Sequence, residues 1–379
     1  MSLLTEDQRS LQQLVRDFAK KEIAPRAASY DHSEEFPWDN VKGLAALGLM
    51  GMPVPEEYGG AGLDTLSYVL AVEEISKACA ATGAVMSIHT SAGILPILLF
   101  GTQAQKERYV PDLAEGRKVG AFALTEPNAG SDAGAVTTTA KPDAGGYVLN
   151  GTKCFISNAG PAEIYCVFAK TTPGRGVKGI TGFIVEKGTP GFRIGKKEEK
   201  MGIRASATAE LIFDNCRIPA ENRLGQEGEG FKIAMVVLDS ARIGVGAQAV
   251  GIAQAAYEEA LAYAKVREQF GKSIAANQAV GFMLADMAIQ IEAARQLVHH
   301  AARLKDAAVP FGKEAAMCKT FASDIAVQVA LDAIQILGGY GYSREYPVER
   351  LLRDAKITQI YEGTNQIQRV VIANQILTH

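Results

Sequence analysis

The chain has 379 residues, more than a single core ordinarily sustains at ~250–300 residues, so two or three cores are expected. Apolar residues make up 47% and charged residues 21%, which excludes wholesale disorder and an integral membrane protein. The formal charge is −3, and Lys196, Lys197 and Lys200 alternate with Glu198 and Glu199, so no one-signed field exists for a polyanion and nucleic acid is not an expected partner.

Met1 to Arg9 carries acids and polar residues where an export signal needs a basic start and an apolar core. Leu11, Leu14, Val15 and Phe18 then fall on one face of a helix. Further helices are predicted over Asp39–Leu49, Thr65–Cys79 and Gln103–Ala114, with Pro53-Val54-Pro55 and Tyr58-Gly59-Gly60 as breaks. Ala78 to Gln105 contains no acid, Lys or Arg and is long enough to cross a bilayer. Thr82, Ser87, His89, Thr90, Ser91, Gly93 and Pro96 interrupt it, so a buried helix pair lining a pocket is expected instead. His89 has no Asp or Cys partner at metal-ligand spacing and reads as a hydrogen-bonded core residue.

From about Gly120 the texture changes to short runs, Tyr147–Leu149, Tyr165–Ala169, Ile180–Val185 and Ala209–Phe213, separated by turn-forming clusters, which predicts antiparallel β-structure. Helix returns in long Ala-rich stretches from Phe231 to about Arg267, Asn277 to Lys305 and Pro310 to Leu337, suited to an up-and-down bundle. The expected divisions are 1–119 (helical), 120–226 (β) and 227–379 (helical bundle), packed as one rigid unit without a long linker. The five cysteines are odd in number and lack CxxC spacing, so neither a disulfide framework nor a zinc site is expected, and a reducing cytoplasm fits best.

Gly174, Gly176 and Gly179 satisfy GxGxxG, but no helix follows them, and a pyrophosphate fingerprint needs a helix N-terminus there. Ala121 to Asp132 carries more weight: an apolar strand ends in a Gly/Ser/Asn turn whose N–H groups and hydroxyls suit polar heterocycles and phosphates. Its Ala-Leu-Thr-Glu and Gly-Ser-Asp elements resemble the first signature of the acyl-CoA dehydrogenase family. Arg267-Glu268-Gln269-Phe270-Gly271, Gln335 to Tyr342 and Ile360 to Arg369 extend the resemblance in order across the whole chain, nearest to the short-chain, butyryl-type members.

That resemblance implies a mainly α fold with a central β-domain, here an antiparallel barrel or sandwich, an N-terminal helical domain and a C-terminal four-helix bundle. It implies FAD as cofactor, an acyl-CoA substrate, an electron-transferring flavoprotein as acceptor, and a homotetramer built as a dimer of dimers. Glu362 matches the base that takes the proton beside the thioester carbonyl, with its backbone N–H joining a flavin hydroxyl on the carbonyl oxygen. A carboxylate near ~4.3 is too weak a base for so weak a carbon acid, so burial must raise it. Some relatives carry the base where this chain has Ala241, which cannot serve.

By the same likeness Phe122, Leu124, Thr125, Gly130, Ser131, Phe155, Ile156 and Ser157 meet FAD, although several relatives have Trp at the position of Phe155. Arg267, Phe270, Gln278, Gln335, Gly338 and Gly339 reach the ADP half of a cofactor bound by a neighbouring subunit, with Thr364 and Gln366 closing over it. Ser131, Asp239, Arg242, Tyr361 and Gly363 fall to the substrate. From the residues alone, Glu362 reads as an ordinary acid before a helix, Asp239 and Arg242 as a surface i,i+3 pair, and Arg267 as a solvated helix end. The acyl group stays open between straight, branched and alicyclic chains. The rivals are an oxidase and a non-catalytic nucleic-acid-binding flavoprotein relative; the latter calls for a basic face and no Glu362.

Overall fold

The computed structural model describes residues 4–378. Seven helices open the chain: α1 (Glu6–Phe18), α2 (Ala27–Ser33), α3 (Trp38–Ala46), α4 (Thr65–Ala78), α5 (Ala80–Ile88), α6 (Leu95–Phe100) and α7 (Gln103–Ala114). Capping boxes start two of them, Thr5 with Gln8 and Thr102 with Gln105, each satisfying N–H groups that a helix end leaves unpaired. Asp64 caps α4, and Asp306, far along the chain, accepts from Thr65 N at 2.7 Å and Leu66 N at 3.1 Å, tying this helix to the C-terminal block. The face expected of α1 is only partly realised. Val15 is fully buried, but Leu14 is 51% exposed and Gln8 takes a buried place through its bond to Asp64, because the core here is narrower than the apolar stripe.

Eight strands follow: β1 (Gly120–Ala123), β2 (Thr139–Asp143), β3 (Gly146–Ser157), β4 (Ile164–Lys170), β5 (Ile180–Glu186), β6 (Phe192–Lys197), β7 (Thr208–Pro219) and β8 (Arg223–Leu224). They form one sheet in the order β6-β7-β3-β2-β4-β5-β8, with β1 on β4. The pairing is antiparallel except that β1 runs parallel to β4 and β2 meets β4 in parallel at one position, a departure from the wholly antiparallel expectation. Strands β4 and β5 are buried at almost every position, which is why they read as unbroken apolar runs. The Gly174–Gly179 segment is a turn between them with no helix after it.

The last block contains α8 (Gly230–Val266), a short hairpin of β9 (Glu268–Gln269) and β10 (Lys272–Ser273), then α9 (Gln278–Asp306), α10 (Gly312–Leu337), α11 (Val348–Thr358) and α12 (Asn365–Thr378). Helix α8 is enclosed by α4, α9, α10 and α11, and its small residues permit that. A Cβ on Gly251 would stand 2.4 Å from Glu73 O, so no side chain fits where α8 crosses α4. The largest apolar cluster runs through all three blocks, and a second joins α7, the sheet and the start of α8, so the cores are shared rather than one per block. Three helical stretches are long and apolar enough to cross a membrane, Ala80–Phe100, Gly230–Val266 and Gly312–Tyr342, but 83%, 78% and 50% of their apolar windows are buried within the fold.

Candidate active site

Between α11 and α12 the chain turns through 359–364. Glu362 adopts φ +55°, a left-handed conformation that costs a non-glycine residue about 1 kcal/mol, and Gly363 follows at φ +90°. Such a turn persists only if its surroundings hold it. Gln368 Nε2 donates to Glu362 O at 3.0 Å and to Gly363 O at 2.8 Å. Arg242 Nε reaches Glu362 O at 3.5 Å from α8, and Lys319 Nζ donates to Gly363 O at 2.9 Å from α10. The Tyr361 hydroxyl donates to Gln248 Oε1, whose amide in turn donates to Ala80 O at 3.0 Å.

The carboxylate held by this turn is sealed from solvent at Oε2, which has no hydrogen-bond partner among the described residues. Burial drives Glu362 up to about 7, against the lowering pull of Arg242 and then Lys319. The N–H groups of Glu362 and Gly363 likewise find no acceptor among the described residues. An acid that titrates near neutrality therefore sits beside donors with nothing yet to bind.

A small crevice, whose wall includes Tyr68 within the electrostatic reach of Glu362, is lined by Pro53, Thr65, Tyr68, Thr90, Ser91, Leu95, Ser240 and Lys305. Tyr68 closes it: its hydroxyl donates to Ser87 Oγ at 3.0 Å, and burial raises it to about 12, with the charge of Glu362 adding to the rise. Gly244 of α8 is required here, because a Cβ would stand 2.6 Å from Ser87 Oγ. His89 is not part of this wall. Its Nε2 donates to Leu113 O at 2.9 Å and its Nδ1 accepts from Gly120 N at 3.0 Å, a neutral tautomer whose acidity burial sets near 4.

The turn after β1 is built on a buried ion pair. Lys153 Nζ donates to Glu126 Oε1 at 2.7 Å and to Leu124 O at 2.9 Å. Glu126 also accepts from Thr137 N at 2.5 Å and Thr138 N at 3.0 Å. Burial alone would raise Glu126, but Lys153 and these donors hold it near 2, while burial brings Lys153 down to about 8, so both stay charged at neutral pH. Above the pair, Gly130 and Ser131 are exposed and their N–H groups have no acceptor among the described residues. On β3 the register against β7 shifts between Lys153 and Ile156, and this bulge turns Phe155 outward at φ +55° with 65% of its surface exposed.

A third region lies past the end of α8. Arg267 stands 5.7 Å over the Tyr340 ring, and a cavity of about 650 Å³ is lined by these two with Tyr263, Ile336, Gly338, Gly339 and others. Phe270, on the hairpin beside it, is 99% exposed.

Comparison with known proteins matches the chain to the acyl-CoA dehydrogenase N-terminal domain over residues 5–117, the middle domain over 121–216 and the C-terminal domain over 228–377. The chain belongs to the acyl-CoA dehydrogenase family. It is 58% identical over 374 residues to an acyl-CoA dehydrogenase of Bacillus subtilis (strain 168), covering 99% of each chain. The solved butyryl-CoA dehydrogenase of Megasphaera elsdenii superposes with a TM-score of 0.98 at 51% identity, covering 100% of both chains. A chain solved in work on the electron transferring flavoprotein of Acidaminococcus fermentans and flavin-based electron bifurcation gives 0.98 at 53% identity, again over 100% of both.

Among this family member's expected site residues, Tyr361, Glu362, Gly363, Asp239 and Arg242 come together. Asp239 and Arg242 are ion-paired as expected of i,i+3 neighbours, but Arg242 is buried and leans on the base turn, unlike a surface pair. Thr125, Gly130, Ser131, Phe155 and Ser157 are at least partly exposed on the β-domain, Phe122 is half-buried against Phe168, and the side chains of Leu124 and Ile156 are buried in the core and leave only backbone for a ligand. Gln278, Gln335, Gly338 and Gly339 are exposed in the Arg267 region, and Thr364 and Gln366 flank the base turn. Sequence reasoning missed Lys319, Gln368, Gln248, Lys153 and Glu126. Two of these carry a visible signal: Lys319 shares its helical face with Ala315, Ala322 and Ala326, and Gln248 interrupts the apolar run of α8.

Proposed function

We propose that the protein oxidises a short-chain acyl-CoA to its trans-2-enoyl-CoA and passes the electrons to an electron-transferring flavoprotein. The observation that carries this reading is the Glu362 carboxylate: buried, unpartnered at Oε2 and raised to about 7.

Members of this family carry FAD, and the residues present fit it. The outward Phe155 ring offers a stacking face, and the Gly130 and Ser131 N–H groups offer unsatisfied donors beside it. FAD, when bound, supplies a hydride acceptor at flavin N5. Phe155, Thr125 and Ser157 would hold the isoalloxazine side, and Thr364 and Gln366 would close over it. Arg267 follows the end of α8, roughly 37 Å along that helix from Arg242 and the turn it supports. This supports the reading that Arg267, Phe270, Gln278, Gln335, Gly338 and Gly339 serve the cofactor of a second chain, hence a homotetramer arranged as a dimer of dimers.

In the reaction, the Glu362 N–H binds the thioester carbonyl oxygen and stabilises the charge that grows there. Glu362 Oε2 takes the proton from the adjacent carbon. A base near 7 matches that task at neutral pH far better than an ordinary carboxylate. Tyr68, Leu95 and Ser240 limit the acyl chain, and Ser131, Asp239 and Arg242 lie on the path assigned to the CoA arm.

The test is anaerobic titration of purified protein with butyryl-, octanoyl-, isobutyryl- and cyclohexanoyl-CoA while following flavin absorbance. Rapid bleaching by butyryl-CoA, and slower bleaching by octanoyl-CoA, is the expected result. Bound FAD that none of them reduces would overturn the reading.

A further inference from the structure

Lys319 is fully buried on the Ala315, Ala322, Ala326 face of α10, where an apolar side chain would pack without the cost of desolvating a charge. A buried ammonium is retained only where acceptors replace its water. Its Nζ has Gly363 O at 2.9 Å and Asn365 Oδ1 at 2.8 Å. Asn365 is held in turn, its amide donating to Ser323 Oγ at 2.9 Å and to Asp324 Oδ1 at 2.7 Å. These acceptors are the residue after Glu362 and the first residue of α12, so one ammonium spans the hinge on which the carboxylate is mounted.

We propose that Lys319 is a positioning residue for the base: it pins the left-handed turn that aims Glu362, and its charge favours the proton-accepting carboxylate over the neutral acid. This rests on the reading of Glu362 as the base. Arg242 and Gln368 share in holding the turn, and Arg242 also favours the carboxylate; among the three, Lys319 alone joins a charge to both Gly363 O and Asn365. Arg242, from α8, is paired with Asp239. Asp324, on α10, is bonded by Asn365, Gln359 and Arg369. Tyr68 of α4 is raised to about 12 and Tyr361 is raised further by burial, so both stay protonated. Burial brings Lys319 down to about 7, partly restored by Glu362, so the two groups influence each other in the same pH range.

The test uses the FAD-loaded, full-length protein and two readouts. The first is the infrared carboxyl band that vanishes in Glu362→Gln, titrated with pH in the absence of substrate. The second is the rate of flavin reduction by butyryl-CoA across the same pH range. In Lys319→Met the Glu362 midpoint is expected to move up by about one pH unit, and the acidic limb of the reduction rate with it. Asn365→Ala, which keeps the lysine but removes one acceptor, is expected to shift both in the same direction by less, and it carries the test if Lys319→Met does not fold. An unchanged midpoint in the variants, with only stability reduced, would overturn the inference. Glu362→Gln in the same series separates the two claims: if it still reduces flavin, the base assignment fails; if it is inactive while the Lys319 and Asn365 variants keep the native midpoint, only the role of Lys319 fails.

Discussion

The turn that carries Glu362 and the surface around Arg267 are both reached from α8, yet they are built on opposite terms. Around Glu362 the backbone carbonyls are held by three separate side chains, and what is left unsatisfied among the described residues includes the Glu362 Oε2, the Gln368 Oε1 and a few N–H groups. Around Arg267 the aromatic and glycine surface stands open, with Phe270 almost wholly exposed and free space above Gly338 and Gly339. One region is complete within the chain except for its reactants. The other stands open to solvent in the chain. The first should therefore respond to substitution in its chemistry and titration, the second in cofactor retention and assembly.

The sharpest break of that contrast is Glu362→Gln. Removing the proton acceptor while keeping shape should leave FAD binding intact and lower the rate of flavin reduction by about four orders of magnitude or more, read by stopped-flow absorbance. In the native protein the same rate should fall as pH drops below about 7, where Glu362 takes up a proton.

Next in size is Lys153→Met, which strands Glu126 as a buried charge without its cation. Breaking a buried pair in this way costs about 3–5 kcal/mol, so denaturant unfolding should show a loss of that order. The Leu124–Ser131 turn should loosen, and FAD should be lost more readily as a consequence.

Glu362→Gln also makes a smaller and opposite prediction for stability. Glu362 is raised from 4.5 to about 7 by burial, so the folded state holds its proton more tightly than the unfolded state does. Below about 4.5 both states are protonated and the residue costs nothing. As pH rises from there through 7 the folded protein loses stability relative to the glutamine variant, by at most about 3 kcal/mol. Ligand-free thermal unfolding at pH 5 and pH 8 checks this: the variant's gain over the native protein should be small at pH 5 and several-fold larger at pH 8.

How much of this was legible in the sequence follows the same division. Long helices declared themselves by periodicity, and α4, α7 and α8 begin within a residue of where the pattern starts them. Strands β4 and β5 were legible because burial on both faces leaves an unbroken apolar run. Strand β6, an edge strand with Arg193, Gly195, Lys196 and Lys197 among six residues, was not, since its polar residues look like a loop. Glu362 was found only through its motif, because its importance comes from a left-handed turn and from partners at positions 242, 319 and 368 that no local pattern links. Leu14 misled because periodicity specifies a face but not how wide a core will meet it.

The last prediction concerns the open region. Arg267→Ala removes a guanidinium that now rests on Tyr340 and touches none of the groups around Glu362. If that surface serves a second chain's FAD, the variant should lose about tenfold in FAD affinity, equivalent to about 1.4 kcal/mol. FAD-saturated enzyme should keep its rate of flavin reduction and its pH profile, since the Glu362 turn and its three anchors are untouched. Loss of FAD should also grow on dilution, because a site shared by two chains weakens when they part. Equilibrium dialysis against FAD at several protein concentrations reads both effects. A variant that binds FAD normally at every concentration would show that the Arg267 surface is not part of a cofactor site, and the contrast between a region finished within the chain and one finished by its neighbour would then lose its second half.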